Sequence, residues 1–294
     1  MGCSPGIPLR LPAYAKLNLS LLVGPKRDDG FHEISTVMAK ISLCDWLHFS
    51  LAPEGTIEVS SSDPALPCDE RNTVFRTALL LLERFPSRCP GVKIHIHKHI
   101  PWGAGLGGGS SDAATALVAL NRLWDLELST EELSGLGSMI GSDVPFFFVP
   151  SAAVVSGRGE RVSPFPNGLG GYPLVVYPGV EVSTSWAYGA INPRLTLDRT
   201  ITNIAALSCK GGDLNALARS ARNDFEPVVF DKHPVLREVV EELRARGAVF
   251  AAMSGSGSSL FGVFEGEEAR ESARLWAEQR GFSAWSVRWI GDGV

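Results

Sequence analysis

Between Ala13 and Val23 the chain alternates, with Ala13, Ala15, Leu17, Leu19 and Leu21 on one side and Tyr14, Lys16, Asn18 and Ser20 on the other. A period of two predicts a strand from whose polar face Lys16 and Asn18 both project. Asp28-Asp29-Gly30 reads as a hairpin turn, with residues 31–41 returning as a second strand. Residues 72–85 (NTVFRTALLLLERF) change to helical spacing, which Asn72 could cap. VKIHIHKHI alternates again and ends at Ile100; a run of glycines follows, then an Ala/Leu/Val stretch to Trp124. That order predicts strand, flexible loop and helix N-terminus. Ser129-x-x-Glu132 is a capping box for a helix that fades at Gly141, with an apolar strand expected after Pro145. A hairpin is expected over 153–163, a Pro/Gly-rich boundary over 164–171, and a short buried strand in YPLVVYPG. The C-terminal part reads as an amphipathic helix over 234–246, then strand, glycine loop and strand through FAAMSGSGSSLFGVF. A helix over 267–280 and a strand over 284–290 complete it.

Composition narrows the class. The chain has 294 residues, 45% of them hydrophobic and 20% charged, which suits one large or two ordinary globular domains. A net charge of −5 argues against broad nucleic-acid binding. Five cysteines without a C-x-x-C pair point to reduced thiols in a cytoplasmic protein. No apolar run has the length of a membrane span, so no membrane partner is expected. MGCSPGIPL lacks the regions of a signal peptide, and Gly6 departs from the myristoylation pattern.

The densest chemistry lies in PWGAGLGGGSSDAA, residues 101–114. Gly103, Gly105, Gly107, Gly108 and Gly109 let the backbone approach a ligand closely. Ser110 and Ser111 add hydroxyl donors where a helix N-terminus offers unpaired N–H groups, so the stretch reads as a phosphate site. No Gly-Lys-Ser/Thr closes the loop, which excludes a P-loop. Gly103, Gly105 and Gly108 fit G-x-G-x-x-G, but the N-terminus shows no βαβ unit and Glu127 lies just past the helix, which argues against a dinucleotide fold. His95, His97 and His99 share a polar strand face; at about 3.3 Å per residue the outer two are roughly 13 Å apart and cannot hold one ion. No metal site of the protein's own is expected. Gly255, Ser256 and Gly257 open a second glycine loop, read as an anion-facing nest in preference to a plain turn. Asp143 is either a self-bonded turn residue or a carboxylate aimed into a cleft, and Lys16 with Asn18 is either a solvated face or part of a site.

P-x-G-A-G-L-G-G-G-S-S-D-A-A resembles the phosphate loop of the GHMP kinases, a family that includes galactokinase and the homoserine, mevalonate and phosphomevalonate kinases. Its GGGSSDAA form is most similar to the branch acting on a cytidine-diphosphate-linked methylerythritol in isoprenoid precursor synthesis. A-K-L-N-L-S-L, D-G-F-H, G-S-D-V-P-F-F, N-D-F-E and the second glycine loop match further family segments in order along the chain. The resemblance implies an α+β, two-domain fold: residues 9–165 like the second domain of ribosomal protein S5, residues 166–294 ferredoxin-like, and the active site in the cleft. It implies ATP and Mg2+ as cofactors and a cytidine diphosphate-linked small molecule as phosphoryl acceptor. Pro101 and the loop Gly103, Ala104, Gly105, Leu106, Gly107, Gly108 and Gly109, with Ser110 and Ser111, would hold ATP. Asn72 would border the adenine, and the second loop would pack beside the phosphates. Asp143 would accept the substrate's proton, and Lys16 would keep Asp143 ionised and stabilise charge on the oxygen. Asn18, Phe31, His32, Tyr177 and Trp186 would place the substrate. Phe31 stands where this branch has tyrosine, which keeps a stacking face and drops a hydroxyl. Asp112 is left between a capping and a magnesium role. Another GHMP kinase, of homoserine or mevalonate type, and a non-catalytic nucleotide sensor are the rival readings.

Overall fold

The computed structural model describes residues 9–192 and 197–291; MGCSPGIP, the stretch read against the signal-peptide and myristoylation patterns, lies outside them with Cys3. In chain order the elements begin with β1 (Leu9–Lys26), β2 (His32–Ala52), β3 (Ile57–Ser61), α1 (Thr73–Arg84), β4 (Gly91–His97), α2 (Gly108–Leu123) and α3 (Thr130–Ile140). A 3-10 turn (Val144–Phe148) follows, then β5 (Ala152–Gly157), β6 (Arg161–Phe165) and β7 (Tyr172–Tyr177). Four helices come next: α4 (Thr184–Ala190), α5 (Arg199–Gly211), α6 (Leu214–Ser220) and α7 (Glu226–Lys232). The chain ends with α8 (Pro234–Ala245), β8 (Ala248–Met253), β9 (Leu260–Phe264), α9 (Glu267–Gln279) and β10 (Ser283–Ser286). Two compact units result. One contains residues 9–15, Cys44–Trp102 and Gly107–Phe148; the other contains Lys16–Leu43, Gly103–Leu106 and the described residues from Val149 onward.

In the first unit the far half of β2, Trp46–Ala52, pairs antiparallel with β4, and β4 pairs parallel with β3. Leu47, Phe49, Ile94 and Ile96 are buried on this sheet, and Val74, Ala78 and Leu81 of α1 and Ala113, Leu117 and Leu120 of α2 are buried with them. The Ala-rich face of α2 lets α1 and the 3-10 turn pack closely against it. The capping box of α3 forms in full: the Ser129 side chain accepts the Glu132 N–H, and Glu132 accepts the Ser129 N–H. The strand expected after Pro145 is instead the 3-10 turn. Val144 N–H donates to Gly141 O and Phe146 N–H to Asp143 O, and Pro145 loses nothing in a first turn where its N–H would have no partner. β4 stops at His97, so His99 lies outside the strand face predicted for it. His95 and His97 meet at 4.5 Å between ring centroids, and His48 of β2 meets His97 at 4.9 Å.

In the second unit Ile34–Ala39 of β2 pairs antiparallel with β5, which pairs with β6. A separate antiparallel sheet runs in the order β10-β7-β9-β8. Its core gathers Leu174, Val176, Leu236, Val240, Leu243, Leu260 and Phe264 with Phe225 and Val229 of the α7 region. The polar side of β1 is not solvated: Lys16, Asn18 and Ser20 are each 3% exposed or less. The last strand is shorter than its sequence signal, because the chain leaves β7 after Ser286 and makes an isolated bridge from Trp289 to Ile41. No helix among the described residues is long and apolar enough to cross a membrane.

Candidate active site

Within the second unit, β1 delivers Lys16 and Asn18 to the first glycine loop. The Lys16 ammonium donates to Asn18 Oδ1 at 2.5 Å and to the Gly105 carbonyl at 3.0 Å, and the Lys16 N–H donates to Leu106 O at 3.0 Å. Asn18 is fixed in turn: its Nδ2 donates to Thr36 Oγ1 at 2.9 Å and its N–H to Ser254 Oγ at 3.2 Å. The Ser254 hydroxyl closes the ring by donating to the same Gly105 carbonyl at 2.9 Å, and Ser259 N–H donates to Ala104 O at 3.0 Å. Residues 104–106, the β1 polar pair and the second glycine loop are therefore one hydrogen-bonded assembly. Gly105 has φ +79°, and a Cβ there would lie 2.1 Å from Ser254 O. Its lack of a side chain serves loop-on-loop packing, a different reason from the ligand approach expected of the loop glycines. Gly255 closes on Gly105 from the other side, and the Ser256 hydroxyl meets Thr184 Oγ1 at 3.0 Å.

The N-D-F-E motif braces this second loop. Asn223 Nδ2 donates to Met253 O at 2.9 Å and to Gly255 O at 2.8 Å, and Glu226 Oε1 accepts the Met253 N–H at 2.8 Å. Burial pushes the Glu226 carboxyl above its ordinary range, against the opposing pull of the Met253 N–H and Arg244.

The aromatic candidates separate. His32 Nδ1 lies 3.0 Å from Gly24 O, and its ring stacks on Tyr188 with centroids 5.3 Å apart. Tyr188 meets Phe225 edge-on at 4.8 Å, which fixes the plane His32 rests on. Trp186 faces Lys232 at 3.7 Å and His233 at 6.4 Å, while Tyr177 sits in β7 opposite Ser283. Of the aromatics following Ser183, it is Tyr188 that reaches His32, and spacing alone does not separate it from Trp186. Phe31 is 48% exposed beside the turn, with the Arg158 guanidinium 5.3 Å from its ring.

Within the first unit, α2 starts at Gly108, two residues before the serines, with Gly107 as a left-handed N-cap at φ 71°. No side chain caps this end, so the first N–H groups of α2 are not taken up by a capping residue. Thr73 Oγ1 donates to Gly109 O at 2.7 Å and ties α1 to the loop, a contact no sequence signal marked. Asn72 is occupied as the cap of α1: it accepts Val74 N–H at 2.8 Å and donates to Pro67 O at 2.6 Å. Pro101 and Ser110 are half-buried, whereas Ser111 is buried. A Cβ on Gly141 would lie 3.8 Å from Ser110 Oγ, so Ser110 stands beside the turn that carries half-buried Asp143. Asp112 neither caps the helix nor faces solvent; it is buried and ion-paired with Lys98 at 3.0 Å. Among the described residues no group of three or more His, Cys, Asp or Glu is arranged to hold a metal.

Comparison with known proteins places the chain in a family. Residues 72–150 match the model of the GHMP kinases N terminal domain, and residues 203–279 match that of the GHMP kinases C terminal. The chain is 40% identical to 4-diphosphocytidyl-2-C-methyl-D-erythritol kinase of Chlorobium limicola, over 94% of this chain and 95% of that protein. It is 39% identical to the protein of the same name in Listeria monocytogenes, over 93% of both. A crystal structure of 4-(cytidine 5'-diphospho)-2C-methyl-D-erythritol kinase superposes with a TM-score of 0.78 at 35% identity, covering 95% of this chain and 98% of that one. Homoserine kinase from Cytophaga hutchinsonii shares the fold, at TM-score 0.79 and 20% identity over 99% of this chain and 98% of that one. With both family models and near full-length relatives in agreement, the chain belongs to the GHMP kinases and, within them, to the family of 4-diphosphocytidyl-2-C-methyl-D-erythritol kinases.

Proposed function

We propose that the chain transfers the γ-phosphoryl group of ATP to the 2-hydroxyl of 4-diphosphocytidyl-2-C-methyl-D-erythritol. The observation that carries this reading is the buried Lys16–Asn18 pair, hydrogen-bonded to the Gly105 carbonyl, in a chain 40% identical over most of its length to kinases of that name. A lysine that is 3% exposed needs a reason to be charged there. Phosphoryl transfer supplies one, because its catalysis is mostly positioning and charge stabilisation. Lys16 stabilises charge on the transferring group, and Asp143 orients the acceptor hydroxyl and takes its proton. The uncapped start of α2 and the Ser110 hydroxyl receive the phosphates. His32, stacked on Tyr188, and exposed Phe31 receive the cytosine. Magnesium keeps most of its waters and binds through phosphates and few protein groups, which fits a loop with one accessible hydroxyl and no carboxylate cage. Ser110 would hold it, and the ion would neutralise charge on the β- and γ-phosphates.

The test is a coupled ATP-turnover assay with the cytidine substrate, homoserine, mevalonate and no acceptor. Turnover with the cytidine substrate alone is expected; turnover with another alcohol, or with none, overturns the assignment. Asp143→Asn in the same assay should lower kcat by about two to four decades while ATP still binds.

A further inference from the structure

One buried cluster has no part in the chemistry above. Asp45 of β2 is fully buried; its Oδ1 accepts the N–H groups of His99 at 2.6 Å and Ile100 at 2.8 Å, and its Oδ2 accepts from the Lys98 ammonium. Lys98, with 4% of its side chain exposed, also donates to Asp112 Oδ2 at 3.0 Å. Asp112 belongs to the first part of α2. Residues 98–100 lead into the glycine loop, and Asp112 stands where the loop has become helix. Gly108 makes the approach possible, since a Cβ there would sit 3.1 Å from Lys98 Nζ and 3.0 Å from Ile100 Cγ2.

We propose that Asp45, Lys98 and Asp112 are positioning residues, a buried ion cluster that clamps the two ends of the glycine loop and presets the backbone of residues 101–111 for the nucleotide phosphates. The proposal rests on the reading of that loop as the ATP site. Three features support it over a role in stability alone. Ionised side chains taken out of water cost more than apolar ones of the same volume, so the cluster is a poor way to fill a core. The Asp45 carboxylate spends its hydrogen bonds on the two N–H groups immediately before Pro101, where the loop begins. The cluster is also lopsided, with two carboxylates to one ammonium and no partner for Asp112 Oδ1. Burial, reinforced by Asp45 and opposed by Lys98, pushes the Asp112 carboxyl up to about 7. The Lys98 ammonium is held above its ordinary range by the attraction of Asp112 and Asp45, which outweighs the opposing effect of burial.

Asp112→Ala tests the clamp, because it cuts the exit link and leaves a balanced Asp45–Lys98 pair. Hydrogen exchange across residues 101–111 should run about tenfold faster than in the unaltered protein, with α3 unchanged. ATP with magnesium, titrated by calorimetry, should bind about ten- to a hundredfold more weakly. Asp112→Asn keeps an acceptor for Lys98 and should restore both readings. If the alanine variant does not fold, Asp112→Leu refills the volume and takes its place with the same expectation. Unchanged loop exchange in a folded variant overturns the clamp, as does faster exchange that the asparagine variant fails to rescue. Calorimetry on the unaltered protein separates the two claims: no ATP binding there would bring down the nucleotide reading, while the exchange data decide whether the loop is clamped.

Discussion

Phe31 shows how one residue's environment decides between two sequence readings. A phenylalanine after a hairpin turn is either core or contact surface. Here it is 48% exposed beside the Asp28–Gly30 turn, so little burial is at stake. Phe31→Ala should leave the melting temperature within a degree or two, in place of the roughly 3–5 kcal/mol lost when a core Phe is truncated. Stacking on a base is worth about 1–3 kcal/mol by alanine substitution, so the Michaelis constant for the cytidine substrate should rise about 5- to 150-fold with that for ATP unchanged. A cooler melt with both constants unchanged would return Phe31 to a packing role. Tyr188 is the companion that spacing could not single out. Trp186 and Tyr188 lie on the same short helix, and it is the folded contacts that distinguish them: Tyr188 stacks with His32, whereas Trp186 faces Lys232 and His233.

At the scale of elements, much was legible because it rests on local physics. The Asp28-Asp29-Gly30 turn, the α3 capping box, the loop-to-helix transition before α2 and the strand–loop–strand around Gly255 all follow from short-range patterns. The buried polar face of β1 was not legible, since period-two alternation says which residues share a face and nothing about what covers it. Nor did the glycines disclose their different duties. Gly105 and Gly103 both have positive φ, yet a Cβ on Gly105 would strike Ser254 O at 2.1 Å, and one on Gly103 would meet nothing within 4 Å. Alanine at either position pays left-handed strain of about 1–2 kcal/mol. Gly105→Ala should lose roughly 1–3 kcal/mol more from overpacking, and with it the register of the two loops. Thermal melts of the pair measure the difference. Equal melting temperatures would mean that the second loop yields freely and that the packing argument is wrong.

At the scale of the whole molecule, composition marks residues 164–171 as a boundary, and each compact unit is assembled from several stretches of the chain, with β1 and β2 contributing to both. Such assembly from distant stretches depends on long-range pairing, which no window of sequence contains. Long-range packing within one unit brings together Asp45 of β2, Lys98 just past β4 and Asp112 of α2, and it gives the stability of the protein a pH dependence that composition does not show. The Asp112 carboxyl titrates at about 7 in the folded chain and near 4 when unfolded. Between those values the folded state holds a proton that the unfolded state has released, so stability falls as pH rises through the window. Asp45 and Lys98 face this carboxyl, and the Lys98 ammonium, raised further from neutrality, keeps its charge across the window. Glu226, also raised, contributes in the same direction but is common to both proteins in a comparison. Asp112→Asn holds a neutral group at every pH. Its melting temperature relative to the unaltered protein should therefore climb steadily from pH 5 to pH 8 and level off above. Parallel melting curves across that range would show that Asp112 is ionised throughout, and that Lys98 alone balances both carboxylates.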